Sequence, residues 1–174
     1  FVGDLRSVQN ADAVNYIVND LAPWIWSRRR DIVFLIIGRG GEDYQPTTPN
    51  IVFTGFVEDL ALYLTMADAC IAPLRVGAGT KTKVLEGLAY GKPIITTPTG
   101  VEGLEDLVKD LKQLVIIADI NSFKETLLDA IEKLKKGQLK SSMYNPMAVY
   151  RKMYEDFSGS VKRLVEWIQK NTKI

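Results

Sequence analysis

The sequence predicts an α/β fold, a doubly wound parallel sheet covered by helices, and three observations lead to it. Short apolar runs, each too brief for a helix, recur at residues 32–37, 51–53, 69–72, 94–97 and 114–118. Between them stand segments whose apolar residues repeat at helical spacing, the alternation expected of strand–helix–strand units. The run 32–37 is almost purely apolar, as a strand covered on both faces must be.

In chain order, residues 1–5 read as a short strand, and Asn10 is the expected cap of a helix that carries Val14, Ile17, Leu21 and Ile25 on one face. Pro23 should kink or restart that helix, and Arg28, Arg29 and Arg30 follow at its end, where cations complement the helix dipole. The strand at 32–37 runs into Gly38-Arg39-Gly40-Gly41. This turn is not a G-x-G-x-x-G fingerprint, because Asp43 stands at the third glycine position, but it suits a pocket wall. The strand at 51–53 is closed by Thr54-Gly55-Phe56-Val57, and Leu60, Leu64 and Ala67 mark a short helix before the strand of Cys70. Residues 97–103 read as a loop by their Pro and Gly content, and 114–118 as the last strand. Asn121 is the expected cap of a helix with Phe123, Leu127, Ile131 and Leu134, stopped by Gly137. Asn145-Pro146 opens a further helix, and a last one after Gly159 carries Val161, Leu164, Val165 and Ile168 in a stripe expected to want a partner from outside the chain. Trp24, Trp26 and Trp167 read as packing residues, and Lys133, Lys135, Lys136 and Lys140 as solvent-facing.

Composition bounds the function. A chain of 174 residues with 47% hydrophobic content fits one domain of the usual size of about 150 residues. Lys and Arg number 22 against 21 Asp and Glu, so the net charge of +1 removes the broad field on which nucleic-acid binders rely, and no nucleic-acid partner is expected. The single Cys70 lies in an apolar run and reads as a structural thiol, with no disulfide framework. Histidine is absent, so chemistry confined to this chain must use carboxylates, Lys, Tyr or hydroxyls. No apolar run approaches the ~20 residues of a membrane span, and Phe1 opens a strand-like segment, not a signal peptide, which makes the cytoplasm the expected location. A start on Phe1-Val2-Gly3 also suggests that a part of the protein precedes residue 1.

The segment with most chemical content is a βαβ unit: a strand, the loop Arg75-Val76-Gly77-Ala78-Gly79-Thr80, the helix Lys81-Thr82-Lys83-Val84-Leu85-Glu86, and a second strand. Gly77 and Gly79 let backbone approach a ligand, the unpaired amides of the first helical turn point outward, and Lys81 and Lys83 add positive charge, which together suit an anion. Glu86 lies three residues after Lys83 and four after Thr82, on the same helix face. A phosphate at the turn would therefore sit near a carboxylate able to accept hydroxyl hydrogen bonds. The simpler readings are an ordinary surface ion pair for Glu86 with Lys83 or Lys81, turn geometry for the glycines, and solvation for Arg39.

Four segments occur in one order: Ile36-Ile37-Gly38-Arg39-Gly40, Phe53-Thr54-Gly55-Phe56-Val57, the loop, helix and strand from Pro73 to Thr97, and Thr97-Pro98-Thr99-Gly100-Val101-Glu102-Gly103-Leu104. Together they resemble the C-terminal, nucleotide-sugar-binding domain of glycosyltransferase family 4, the retaining enzymes of the GT-B fold. The resemblance implies two Rossmann-like domains facing across a cleft, with residues 1–174 forming the donor domain and the N-terminal acceptor domain absent from this chain. It further implies a nucleotide diphosphate sugar as donor, no cofactor and no metal, in keeping with the lack of a D-x-D motif, and any membrane contact peripheral and made through the full-length enzyme.

Position by position, Glu86 looks like the second glutamate of the family's E-x7-E motif, which binds ribose hydroxyls, and Thr82, Lys83 and Val84 look like the diphosphate-binding helix start. Phe56 and Val57 look like the wall beside the base, with Gly38, Arg39, Gly40, Gly77, Gly79, Thr80 and Lys81 in the same nucleotide-sugar site; Lys83 and Glu86 are the residues expected to carry the chemistry. Two departures stand out. Ala78 occupies the place of the first E-x7-E glutamate, so the usual contact with the donor sugar is missing, and the basic pair common after the first strand falls near Asp4 and Gln9, where Arg6, Lys81 or Lys83 would have to compensate. A nucleotide-sugar epimerase of the same fold, which would need acid and base groups from the preceding half, and a noncatalytic nucleotide-binding module are the alternatives.

Overall fold

The structure, a computed structural model, describes residues 1–77 and 81–139. The helices expected from Asn145 and after Gly159, and the loop residues Ala78, Gly79 and Thr80, lie outside the described residues.

The chain alternates strand and helix as expected. Parallel β1 (Phe34–Ile37) and β2 (Ile51–Gly55) form one hydrogen-bonded pair, and parallel β3 (Cys70–Ala72), β4 (Ile94–Thr96) and β5 (Val115–Ile117) form a three-stranded sheet in the order β3-β4-β5. Residues 1–5 add a parallel strand-like segment to the free edge of β1: the Gly3 amide donates to the Ile37 carbonyl at 2.9 Å, and the Ile37 amide donates to the Phe1 carbonyl at 2.9 Å. Phe1 is buried, and Lys83 Nζ of the helix that follows β3 lies 5.6 Å from its ring centroid. The segment therefore stands between the two hydrogen-bonded blocks.

Both faces of the sheet are covered. Ile94 on β4 meets α4 (Thr82–Ala89) at Gly87, and the alternation of a strand sends the next residue, Ile95, to the opposite face. Both isoleucines are fully buried, which requires a helix layer on each side, and α7 (Phe123–Lys135) also packs on β4. The ring of Tyr16 on α1 (Val8–Tyr16) packs edge-on against Phe123 of α7 at 6.2 Å. A Cβ at Gly87 would meet the tip of the Ile94 side chain and crowd Cys70, which shows how closely α4 is seated on the sheet.

The helix boundaries correct several sequence readings. Ser7, not Asn10, precedes the first helical turn; Asn10 is buried, and its Nδ2 donates to the Asp4 carbonyl at 2.9 Å, locking the turn after residues 1–5. Pro23 does restart the helix. Between α1 and α2 (Ala22–Trp26) the chain widens into a π turn over Ile17–Leu21, where the Ala22 amide reaches the carbonyl of Ile17, because a proline leaves the ordinary ladder short of a donor. The stretch 97–103 is not all loop: Thr97 caps the helical turn α5 (Pro98–Val101), its Oγ1 accepting from the Gly100 amide at 3.3 Å, and a further helix, α6 (Glu105–Asp110), follows. Asn121 does not cap the last described helix: Asp119 caps a 3-10 turn at Ile120–Ser122, accepting from the Asn121 amide at 2.9 Å, and Ser122 precedes α7 without a side-chain cap.

The arginines after α2 are engaged, not merely solvated. Arg28 and Arg30 lie over the Trp24 and Trp26 rings at 3.8 and 4.4 Å, and Arg29 pairs with Asp31 and with Glu132 of α7. No helix among the described residues is long and apolar enough to cross a membrane.

Candidate functional site

Because the strands are parallel, the connections that leave their carboxyl ends emerge on one edge, and contacts between those connections bear this out. Arg75, after β3, forms a bidentate ion pair with Asp12 of α1, with Nε–Oδ2 at 3.0 Å and Nη2–Oδ1 at 2.6 Å. Beside it Gly77 lies against Gln9, so the glycine loop rests on the start of the helix that follows residues 1–5.

At this edge the turns after β1 and β2 and the end of residues 1–5 enclose a cleft of about 430 Å³. Gly38, Arg39, Phe56 and Val57 line it, as the sequence suggested for a pocket wall; Val2, Gly3, Asp4, Ile37 and Leu60 complete it and were not foreseen. A bulge shapes the wall: Ile36 pairs with Phe53 but Ile37 with Gly55, which leaves Thr54 as the extra residue and turns the chain just before Phe56. Phe56 is 64% exposed, with the Arg39 guanidinium over its ring at 4.7 Å. Gly40 packs close to the Arg6 side chain and lines the base of the same turn, without being part of the cleft surface. Arg6 itself is committed to Asp4, its Nε donating to Oδ1 at 2.8 Å, and this bond above all holds the Asp4 carboxyl down to about 2.

The second cluster lies at the start of α4. Helix geometry leaves the Thr82 and Lys83 amides without intrahelical partners, whereas the Val84 amide donates to the Lys81 carbonyl at 3.0 Å and the Val84 side chain is in the core. Lys83 is half-buried: burial lowers its ammonium below the ordinary lysine value, Glu86 opposes that shift, and Lys81 adds to it. Glu86, one turn on and also half-buried, has its carboxyl pushed up by burial, with Lys83 pulling it back. Neither side chain has an ion pair or hydrogen bond among the described residues, so the surface pair weighed from the sequence is not formed. Lys81 differs: it is only 5% exposed, its Nζ donates to the Gly77 carbonyl at 3.1 Å, and Glu102 Oε2 lies at 3.8 Å.

The two clusters meet at the amino end of the chain. Val2 lines the cleft, and its neighbour Phe1 receives Lys83. No residue of α4 lines the cleft itself; the α4 start, with two open amides, one cation and one partly dehydrated carboxylate, is a separate cluster linked to it through residues 1 and 2. Such a set suits a ligand with a flat group, hydroxyls and an anionic tail.

Over residues 1–135 the chain matches the family model described as glycosyl transferases group 1. The chain belongs to that family. Among solved structures it is similar to WaaG, a glycosyltransferase involved in lipopolysaccharide biosynthesis, with a TM-score of 0.60 and 19% identity over 80% of this chain. That likeness shows the fold, and the chain spans 38% of the length of the matched WaaG chain. No curated protein matches the chain. The glycosyl transferases group 1 assignment agrees with the resemblance read from the sequence motifs, and a Rossmann-like parallel sheet is what the described residues form.

The residues missed by sequence reasoning had a readable signal in part. Asp4, beside the Arg6 already weighed as a compensating cation, stands at the carboxyl end of the first strand, where ligands of parallel sheets bind. Leu60 and Glu102 gave none, since each reaches the edge from an element whose direction the sequence leaves open.

Proposed function

We propose that this chain is the donor-binding half of a retaining glycosyltransferase, which moves a sugar from a nucleotide diphosphate sugar to an acceptor held by an N-terminal domain outside the chain. Family membership supports the reaction class. What supports the donor role is the cleft walled by Arg39 and Phe56 at the carboxyl ends of β1 and β2, taken together with the separate cluster at the α4 start, where Lys83 and Glu86 are half-buried and Lys83 lies beside Phe1.

In this reading the base lies against Phe56 and Val57, Glu86 accepts the ribose hydroxyls, and the diphosphate meets the Thr82 and Lys83 amides and the Lys83 ammonium. As the sugar departs, negative charge grows on the leaving phosphate oxygen. Fixed amide dipoles and a cation aimed there stabilise the transition state more than the ground state, and removal of one such donor typically costs about 3 kcal/mol. Any metal-free course follows from this assignment of charge to the chain's own groups.

Calorimetry with UDP, GDP and ADP tests the reading. One of them should bind selectively, and Glu86→Ala should weaken that binding by about 1–3 kcal/mol through loss of a buried acceptor. Arg28→Ala, at the far end of α2, should leave it unchanged. Binding indifferent to Glu86→Ala would remove the site. Ala78 in the first E-x7-E position favours one other reading, a noncatalytic nucleotide-binding module, which predicts binding with no transfer even when the acceptor half is restored.

A further inference from the structure

Lys81 and Lys83 stand two residues apart, yet their surroundings differ in kind. Lys83 has no ion pair or side-chain hydrogen bond among the described residues. Lys81 is 5% exposed; its ammonium is spent on the Gly77 carbonyl at 3.1 Å and is faced by Glu102 at 3.8 Å. A buried ammonium needs both hydrogen-bond acceptors and counter-charge, and these two oxygens supply them.

The two partners lie on different elements. Gly77 is the described end of the loop that leaves β3, and Glu102 belongs to the connection after β4. The start of that connection is itself fixed to the segment after β3, since Thr97 Oγ1 donates to the Leu74 carbonyl, and just before it the strand ends are joined by Thr96 Oγ1 donating to the Ala72 carbonyl at 2.8 Å. On the other side Asp12 holds Arg75. The β3–α4 connection is thus tied at its start to α1 and at its end to the segment beyond β4.

We propose that Lys81 and Glu102 form a clasp that positions the start of α4, so that Lys81 acts as a positioning residue and Lys83 is left as the cation for the anionic part of the ligand. The clasp ties Lys81 back to Gly77 and anchors the start of α4 to the C-terminal end of α5. The Thr82 and Lys83 amides then point to a fixed place before any ligand arrives. This inference rests on the nucleotide-diphosphate reading of the edge and goes beyond it in assigning Glu102 a role and moving Lys81 out of direct contact.

Glu102→Gln separates the two assignments by sign. If Lys81 touched the diphosphate, Glu102 would be an unfavourable negative charge nearby, and its neutralisation would tighten binding. If the clasp positions the helix start, neutralisation releases Lys81 and weakens binding, by about threefold for a pair with one exposed partner. Glu102 is 62% exposed, so the variant should fold and melt as the parent does. The measurement is calorimetry of the 174-residue chain with UDP, GDP and ADP, read on whichever binds most tightly. Lys81→Arg, which keeps charge and donors, should retain binding, and Lys81→Met should lose less in the Glu102→Gln background than alone. Unchanged or tighter binding by Glu102→Gln overturns the clasp and leaves the nucleotide site standing. Absence of binding by the parent chain overturns both.

Discussion

At the scale of single residues, Glu86 combines the properties that most sharply distinguish a ligand-facing carboxylate from a surface one. Burial pushes its carboxyl above the ordinary 4.5, and the nearby Lys83 only partly offsets the shift. The consequence for stability has a definite sign. The folded chain holds this proton more tightly than the unfolded chain, so the contribution favours folding at low pH and is lost as pH rises from 4.5 through the folded-state value. Glu86→Gln is neutral throughout, so the difference in melting temperature between variant and parent should widen in favour of the variant over that interval. Parallel curves from about pH 4 to pH 7 would show that Glu86 is solvated like any surface carboxylate. Lys83 complements it: its half-buried ammonium, short of protein partners, is the group that a bound anion would serve best.

At the scale of elements, the turn after β1 carries the strictest requirement. Gly38 has φ +140°, and a Cβ at that position would overlap the Gly3 carbonyl, while its amide donates to the Gly55 carbonyl at 2.9 Å. Three connections are thus joined through one residue. Gly38→Ala should destabilise the fold by roughly 2–4 kcal/mol, combining backbone strain with displacement of residues 1–5. A thermal melt checks this, and a loss under about 1 kcal/mol would mean that the three connections move independently. The turn was legible in the sequence as a pocket wall, because an apolar strand ending in Gly38-Arg39-Gly40 has few other uses. So were all five strand runs, because doubly covered strands are apolar on both faces and stand out from amphipathic helices. The helix starts were read less well. Asn10 and Asn121 are good capping residues, but the first helix starts after Ser7 and the last is entered through a 3-10 turn capped by Asp119, and where a helix starts depends on where the preceding turn delivers the chain. At residues 97–103, Thr97 followed by Pro98 was itself a cap and first-turn signal, obscured by two glycines. Lys83 and Glu86, the residues proposed to hold the ligand, could be picked out because they lie in a single motif. The candidate site was not legible where it depends on residues far apart in sequence, as with Leu60 in the cleft and Glu102 beside Lys81.

At the scale of the whole molecule, the proposed reading gives the donor to the described residues and leaves the acceptor to a domain outside the chain. The cleft and the α4 start both lie on the carboxyl edge of the sheet, and that edge is open above Phe56, which is 64% exposed. Transfer between two substrates depends on holding them in attack geometry, and that positioning is worth about 7–11 kcal/mol in well-oriented systems. In the proposed reading, electrostatic stabilisation of a leaving diphosphate by Lys83 and the helix amides would not replace it, because it would act on one reactant only. The 174-residue chain should therefore bind its nucleotide and transfer no sugar, whichever acceptor is offered. Joined to a domain that closes over the carboxyl edge, the same residues should support transfer, and Lys83→Met should then lower kcat more than it raises the donor KM, since its charge matters most as the phosphate leaves. Steady-state kinetics on the joined protein, with nucleotide binding measured in parallel on the 174-residue chain, tests both halves of this division. Transfer by the 174-residue chain alone would show that an acceptor site lies within it, and a Lys83→Met effect confined to KM would place that lysine in ground-state binding only.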